Sequence, residues 1–341
     1  MRTYLFCHII ALTAGILLDW IIGDPHGLPH PVRAIGRLIS ALERKLLGDT
    51  DASTARNRAR ERAAGTLLWI LVTAVTVLVT GSILCGAYLL HPGAGIACET
   101  ILTAYLLAAG SLCRESMQVA VKLEDEDIAS ARTAVSMIVG RDTEKLNREE
   151  IITAAVETVA ENTSDGVIAP LLFAAVGGPI LGFFYKAVNT MDSMLGYRNE
   201  RYADFGRTAA RADDVMNFLP SRISAMVMIP AGFLLGIFSA DFSGRGALRI
   251  WRRDRRKHLS PNAAQTESAC AGALGIALGG THEYGGVPVE KPVIGDAGRP
   301  PQTADIGRAN ALMFVTQILT AALLLAVLVL LTGMPALRGG V

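Results

Sequence analysis

Residues 157–192 read ETVAENTSDGVIAPLLFAAVGGPILGFFYKAVNTMD. An acidic helix end runs straight into an apolar segment. That segment is interrupted at Gly177-Gly178-Pro179 and leaves on Lys186, Asn189 and Asp192. Ionisable side chains beside hydrocarbon are costly unless paired, hydrated or bound to a ligand. The stretch therefore predicts a membrane-associated chain with a polar reaction site built against the lipid. Downstream the density of charge continues through Asp204, Arg207, Arg211, Asp213, Asp214, Asn217 and Arg222.

Working outward, a membrane-crossing helix needs about 20 mostly apolar residues. Runs 4–22, 64–90, 94–113 and 310–332 qualify as spans. Runs 167–185 and 219–240 are ambiguous, the second because it holds Pro220, Arg222 and Pro230. Both are expected to be re-entrant or broken, since irregular backbone at membrane depth is tolerated only under protein or water cover. The run 268–280 is Gly/Ala-rich and too short to span. The expected fold is all-α: a polytopic integral membrane protein forming one catalytic domain over 1–341, with polar insertions at 114–165 and 243–309.

Composition agrees. Of 341 residues 51% are hydrophobic and only 18% charged, which excludes an ordinary soluble enzyme. A formal charge of +1 suggests no nucleic-acid partner. Cys7, Cys85, Cys98, Cys113 and Cys270 form no C-x-x-C pair and read as small apolar residues. The first run lacks a small-residue cleavage site and reads as a retained helix. Arginine-rich 24–63 should be cytoplasmic, 91–96 external, and the charged 114–166 internal again. Basic residues then flank both ambiguous runs (Arg148, Lys186 and Arg198; Arg211 and Arg249–Lys257), which is why each is expected to return to its own side. The active site is expected on the cytoplasmic face of the cell membrane.

Local signals add detail. Asn147 and Glu150 have capping-box spacing, and Ile151, Ile152, Ala155, Val156 and Val159 form an apolar face. Gly166 is a predicted helix stop. Ser260 is a predicted N-cap with Pro261 at the first helical position, and 281–302 should be irregular. Gly23-Asp24-Pro25 and His30-Pro31 suggest a shaped loop, although a lone His before Pro is commonly a turn residue. Arg249–Lys257 is expected at anionic headgroups.

Glu157, Glu161 and Asp165 are four apart and share a helix face, where like charges repel. Either the face is solvated, or a cation (Mg²⁺ or a Lys/Arg) resolves the repulsion. Lys186, Asn189 and Asp192 share another face: an intrahelical pair with a snorkelling lysine, or a phosphate-binding charge and a metal ligand. Arg222, inside an apolar run, needs an anionic partner. Asn262, Gln265 and Glu267 gather near a helix N-terminus, a natural anion site. No Gly-x-x-x-x-Gly-Lys-Ser/Thr loop, G-x-S-x-G elbow or H-E-x-x-H is present.

The run Glu157–Leu171, Tyr185-Lys-Ala-Val-Asn-Thr-Met-Asp-Ser-Met, Gly23-Asp-Pro with His30-Pro-Val, Asp213-Asp-Val-Met-Asn-Phe-Leu-Pro-Ser-Arg222 and Ser260-Pro-Asn-Ala together resemble the adenosylcobinamide-phosphate synthase family. The resemblance covers nearly the whole chain. It implies an ATP-dependent carboxylate–amine ligase of the membrane, joining the carboxylate of adenosylcobyric acid to the amine of aminopropanol phosphate or a related amino alcohol. It implies ATP and Mg²⁺ as cofactors, and homo-oligomers or association with other cobalamin-assembly enzymes as partners. By residue type, Glu157, Glu161 and Asp192, joined by Asp165 or Asp213, would hold Mg²⁺. Lys186 and Arg222 would hold phosphate. Asn162, Asn189, Asn262 and Gln265 would orient polar groups, with Arg207 and His30 also binding substrate. Glu157, Glu161, Lys186 and Asp192 form the expected catalytic set. A transporter with a buried charged site is the competing class; few spans and no matching halves count against it. A CDP-alcohol phosphotransferase is disfavoured because Asp192, Arg211, Asp213 and Asp214 have the wrong spacing.

Overall fold

The computed structural model describes residues 2–23, 30–48, 57–197 and 199–333. Asp24, Pro25 and Arg198, which the sequence reading used, lie outside the described residues. In chain order the elements are α1 (Arg2–Ile22), α2 (Pro31–Leu46), α3 (Arg58–Leu90), α4 (Pro92–Leu106), α5 (Ala109–Glu124), α6 (Ile128–Ser136) and α7 (Arg148–Asn162). A π-helical segment (Thr163–Ile168) leads into α8 (Ala169–Leu195), followed by α9 (Arg207–Met216), α10 (Phe218–Phe238), α11 (Gly244–Asp254) and α12 (Ala263–Leu274). Strands β1 (Ala277–Tyr284) and β2 (Val287–Gly295) precede α13 (Ala304–Gly333). Among the described residues, six helical stretches are long and apolar enough to cross a membrane: Thr3–Ile22, Arg58–Leu90, Pro92–Glu124, Arg148–Leu195, Phe218–Phe238 and Ala304–Gly333. The protein is an all-α, multi-pass membrane protein, with one small hairpin among the described residues.

Where the sequence reads as one domain, the chain packs as two compact units. The first comprises Met1–Leu107, Pro170–Val215 and Ala321–Val341, the second Ala108–Ala169 and Met216–Thr320.

In the first unit α3 is built inside out. Thr73, Thr76 and Thr80 are buried with Leu68, Val72 and Leu84, while Leu78, Val79 and Ile83 are exposed. Lipid is as apolar as leucine, so small side chains go to the helix contacts and large ones outward. Two of these hydroxyls are satisfied within the helix: Thr73 donates to Trp69 O and Thr76 to Val72 O. The amphipathic α2 buries Ile35 and Ile39 and turns Arg33 and Arg37 out.

The expected break in α8 is present. Gly177 (φ −133°, ψ 22°) and Gly178 (φ 62°, ψ −165°) leave the helix, and the second conformation is open essentially only to glycine. Pro179 has no amide hydrogen, so the carbonyl four residues back, that of Ala175, loses its helical donor. His8 replaces it: its Nε2 lies 3.2 Å from Ala175 O, and a carbonyl only accepts, so Nε2 carries the proton. The other ring nitrogen, Nδ1, is 2.5 Å from Oε1 of the fully buried Glu99, whose Oε2 accepts from Tyr88 at 2.5 Å. A helix break in the apolar layer is thus closed by a histidine held by a carboxyl group. His8→Leu, which strands Ala175 O and Glu99, is expected to destabilise the protein by about 1–3 kcal/mol in reversible unfolding in mixed micelles. An unfolding curve matching the parent would show that this network does not support the break.

Three sequence expectations change in form. Run 94–113 is two helices, because Leu107 is extended (ψ 149°) between α4 and α5. Run 219–240 is not broken. It is the continuous helix α10 despite Pro220 and Pro230, the first proline falling where amide hydrogens have no helical acceptor anyway. Gly166 does not stop its helix. The chain stays helical by wider π-type bonding, with Ala169 N donating to Ser164 O, while Gly166 O accepts from Ala108 N at 3.1 Å.

In the second unit α7 starts on the expected capping box, Asn147 and Glu150 each bonding the other's backbone amide. Its predicted apolar residues are all buried. Residues 277–280 of the Gly/Ala run belong to β1, while 268–274 close the inner helix α12, every residue of which is buried. It begins at Ala263, so Ser260 is not its N-cap; Ser260 Oγ accepts from Asn262 N at 3.2 Å instead. Of the stretch expected to be irregular, 296–302 is irregular, while 281–284 and 287–295 are strand residues of the antiparallel β1–β2 hairpin. Its two-residue turn, Gly285 (φ 58°) and Gly286 (φ 76°), meets the positive φ that a twist-matched hairpin demands at both positions.

Asp254, fully buried at the end of α11, fastens the hairpin. It accepts from Arg253 Nε and Nη2 (both 2.7 Å), Lys257 Nζ (2.8 Å) and Gly295 N (2.9 Å). Burial alone would raise its pKa; these donors overcome that and hold the carboxyl well below the usual carboxylate range. Part of the basic stretch expected at headgroups is therefore spent internally. A depressed folded value means that the stability from Asp254 is complete above its unfolded pKa, about 3.9. It is lost as pH falls below that toward the native value. Asp254→Asn should flatten the acid limb of the stability curve below about pH 4 in unfolding followed from pH 2 to 7. Parallel acid limbs in parent and variant would exclude this role.

Candidate active site

The functional chemistry of the second unit gathers around Glu157. This buried carboxylate accepts from Gly279 N at 2.5 Å through Oε1 and pairs through Oε2 with Arg141, whose side chain is 7% exposed. His282 Nε2 lies 3.8 Å from the same oxygen. Three segments make this meeting: α7 supplies the acid, the loop after α6 supplies Arg141, and β1 supplies Gly279 and His282. The sequence left Mg²⁺ or a basic side chain open as the cation for the acidic stripe. At Glu157 the cation is Arg141.

One helical turn on, Glu161 adds a second acid, and α12 brings a third. Glu267 is fully enclosed: burial first, then repulsion from Glu161 and Glu157, pushes its carboxyl well above the usual range, against the pull of Lys291 and Arg141. Its charged form is thereby disfavoured. Lys291 reaches the same cluster from β2. Burial works against its charge, but Tyr284, Glu161, Glu267 and Glu157 raise it above the ordinary lysine value. His258 is pushed down to about 4, by burial first and then by Lys291. Its Nδ1 accepts from Ser260 N at 3.0 Å, so the neutral ring carries its proton on Nε2. That Nε2, Thr266 Oγ1 and Ser164 Oγ are buried polar atoms that find no partner among the described residues. Buried donors left open this way suit a ligand.

Arg222 and Asn262 form a second polar point. Arg222 Nη1 donates to Phe218 O (2.6 Å), Asn262 Oδ1 (3.1 Å) and Ser221 Oγ (3.3 Å), and its guanidinium lies 3.6 Å over the Phe218 ring. These partners are uncharged, so the cation keeps its attraction for an anion. Asn262 stands at the start of α12 without capping it, its side chain being turned to Arg222. Gln265 ties Trp251 Nε1 (3.0 Å) to Arg255 O (3.3 Å). Asn162 donates to Thr158 O at 3.0 Å, and Asp165 lies within the π-helical segment.

The first unit holds the remaining predicted residues. Lys186, Asn189 and Asp192 share one face of α8, and Asn189 Nδ2 donates to the buried Asp213 on α9 at 3.1 Å. Arg207 opens α9. His30 precedes α2, accepting from Val32 N at 3.2 Å, with its ring edge-on to Tyr105 at 5.0 Å. The turn reading of His30 accounts for both contacts.

The five acids expected to share a metal are divided: Glu157, Glu161 and Asp165 belong to the second unit, Asp192 and Asp213 to the first. Among the described residues no three His, Cys, Asp or Glu side chains group to hold a metal ion. Within the second unit, Glu161 and Asp165 suit an ion of the magnesium type, which takes one or two carboxylates and draws its other ligands from phosphate and water. Spacing alone missed Arg141, His258, His282 and Lys291. They lie in loops and strands without helical periodicity, and the need of buried acids for a countercharge is the signal that points to them.

Fold and site together define a polytopic helical membrane protein with a polar, mostly protein-covered cluster of acids, bases and imidazoles. The CobD/Cbib protein family matches residues 12–313, and the chain belongs to this family of cobalamin biosynthesis proteins. It is 50% identical over 291 residues to the cobalamin biosynthesis protein CobD of Geobacter metallireducens (85% of this chain, 87% of that protein). It is 46% identical over 322 residues to that of Pelobacter propionicus (94% and 96%). To the cobalamin biosynthesis protein CbiB of Salmonella typhi it is 45% identical over 318 residues (93% and 97%). No solved structure matches the chain.

Proposed function

We propose that the protein is an ATP-dependent carboxylate–amine ligase of cobalamin biosynthesis. It joins the carboxylate of adenosylcobyric acid to the amine of aminopropanol phosphate, or a related amino alcohol, and gives adenosylcobinamide phosphate. ATP phosphorylates the carboxylate, releasing ADP. The amine attacks the acyl carbon, phosphate leaves with the bonding electrons, and a carboxylate takes the proton lost by nitrogen. Two anionic partners must meet, which demands oriented cations. The observation that carries this reading is the cluster of Glu157, Glu161 and Glu267 with Arg141 and Lys291, in a chain of this family.

In this reading Lys186, Arg207 and Arg222 hold phosphate groups, while Asn162, Asn189, Asn262, Gln265 and His30 orient polar ones. In the second unit Glu161 and Asp165 hold Mg²⁺ delivered with the nucleotide. Glu157, engaged by Arg141 and Gly279, serves the reaction by fixing that arginine. The site faces the cytoplasm from the cell membrane, where copies of the chain or other cobalamin-assembly enzymes associate with it. Purified protein incubated with adenosylcobyric acid, aminopropanol phosphate and MgATP should yield the amide by mass detection, and none without ATP. Substrate flux into vesicles without product would favour a transporter instead.

A further inference from the structure

The second unit contains an open cleft of about 980 Å³ between α6, the loop that follows it and the tip of the β1–β2 hairpin. The hairpin turn is fixed against that loop, Gly286 N donating to Asp142 Oδ2 at 2.7 Å and Asp142 N to Glu283 O at 2.8 Å. The cleft therefore has a defined floor. Its volume is at the upper end for small-molecule sites, so it suits a large ligand.

Its chemistry is mixed rather than cationic. Arg132, Arg141 and Lys145 face four carboxylate side chains, and the hydroxyls of Thr133 and Ser136 lie along the α6 wall. A triphosphate asks for net positive charge; a ligand carrying many amides asks for donors and acceptors in near balance. The inner wall includes Arg141 and His282, the two residues that flank Glu157. A carboxylate carried by the ligand would meet the Arg141 guanidinium, which has five donors and forms forked pairs with carboxylates.

We propose that this cleft binds the corrinoid, an amide-rich macrocyclic carboxylate, with its free carboxylate at Arg141 and its amides on the α6 and hairpin walls. This rests on the ligase reading above. The cleft makes Arg141 the link between substrate and acid cluster, and it leaves the nucleotide to other residues.

Thr133→Trp and Ser136→Trp fill the α6 wall. Both hydroxyls bond only carbonyls of their own helix, Thr133 to Ala129 O and Ser136 to Thr133 O, so replacement leaves no tertiary bond broken. In nanodiscs, equilibrium dialysis of adenosylcobyric acid followed by corrin absorbance should show Kd raised at least about tenfold in both variants, with ATP affinity unchanged. As a check independent of bulk, adenosylcobyric acid should protect the thiol introduced by Thr133→Cys from a maleimide, relative to labelling of the parent. Corrinoid binding equal to the parent's in both tryptophan variants, without protection of that thiol, would overturn the proposal. So would a loss of ATP affinity with corrinoid affinity retained, which makes the cleft a nucleotide site. If the parent itself fails to bind adenosylcobyric acid, the ligase reading falls and this inference with it; binding by the parent that the variants do not disturb removes the cleft alone.

Discussion

Lys186→Ala and Glu161→Ala proteins are expected to insert into the membrane as the parent does and to make no detectable amide. Lys186 sits on the face of α8 that also carries Asn189 and Asp192, with Asn189 already bonded to Asp213. Its ammonium group is the point charge that the proposal places on phosphate. Removing one such preorganised group costs about 10²–10³ in rate, more where the charge offsets repulsion between two anionic reactants. Glu161 is an acid whose field reaches both Glu267 and Lys291, so its loss changes the charge state that the cluster can hold. Membrane-fraction blots and the mass-detected ligation assay decide the matter. Turnover retained by either variant removes that residue from the site.

Glu157→Ala should be the most damaging substitution for stability. The side chains of Glu157 and Arg141 are 6% and 7% exposed, and alanine leaves the guanidinium buried without its countercharge. Breaking one partner of a buried pair costs about 3–5 kcal/mol. Glu157→Gln keeps the acceptor for Gly279 N and should cost less. Arg141→Ala together with Glu157→Ala should cost less than the sum of the singles, as coupled neighbours do. Unfolding curves for the parent, Glu157→Ala, Arg141→Ala and the double variant test this; strictly additive losses would mean that the two side chains do not act as a pair. Turnover should fall in both single alanine variants and in the double variant, since the guanidinium is what the acid positions.

Much of the fold can be read from local pattern. Apolar runs mark the spans because a bilayer fixes their length. Asn147 and Glu150 announce the start of α7, and Gly177-Gly178-Pro179 announces a break. Each signal works because its cause lies within a few residues. The errors share the opposite property. Gly166 reads as a stop, yet the chain continues because Ala108, far away in sequence, takes its carbonyl. Ser260 has the right neighbours for a cap, yet Asn262 stands at the helix start and turns to Arg222. The hairpin hides in a Gly/Pro-rich stretch where Gly285-Gly286 is the one strong turn signal. Glu99 and His8 lie inside runs that serve as spans, where an ionisable residue is itself a sign of a partner.

By itself the sequence determined that this is a multi-pass helical membrane protein, where its charge is concentrated, and which acids share a helix face. Those properties follow from hydropathy and from spacing along one helix. Only the tertiary structure decided which partner each buried polar group receives. Arg141 and Gly279 go to Glu157, Lys291 to the cluster with Glu267, and His8 to Glu99 and Ala175. Such pairings depend on distance in space between segments remote in the chain, and burial sets their strength by removing the water that would otherwise screen them.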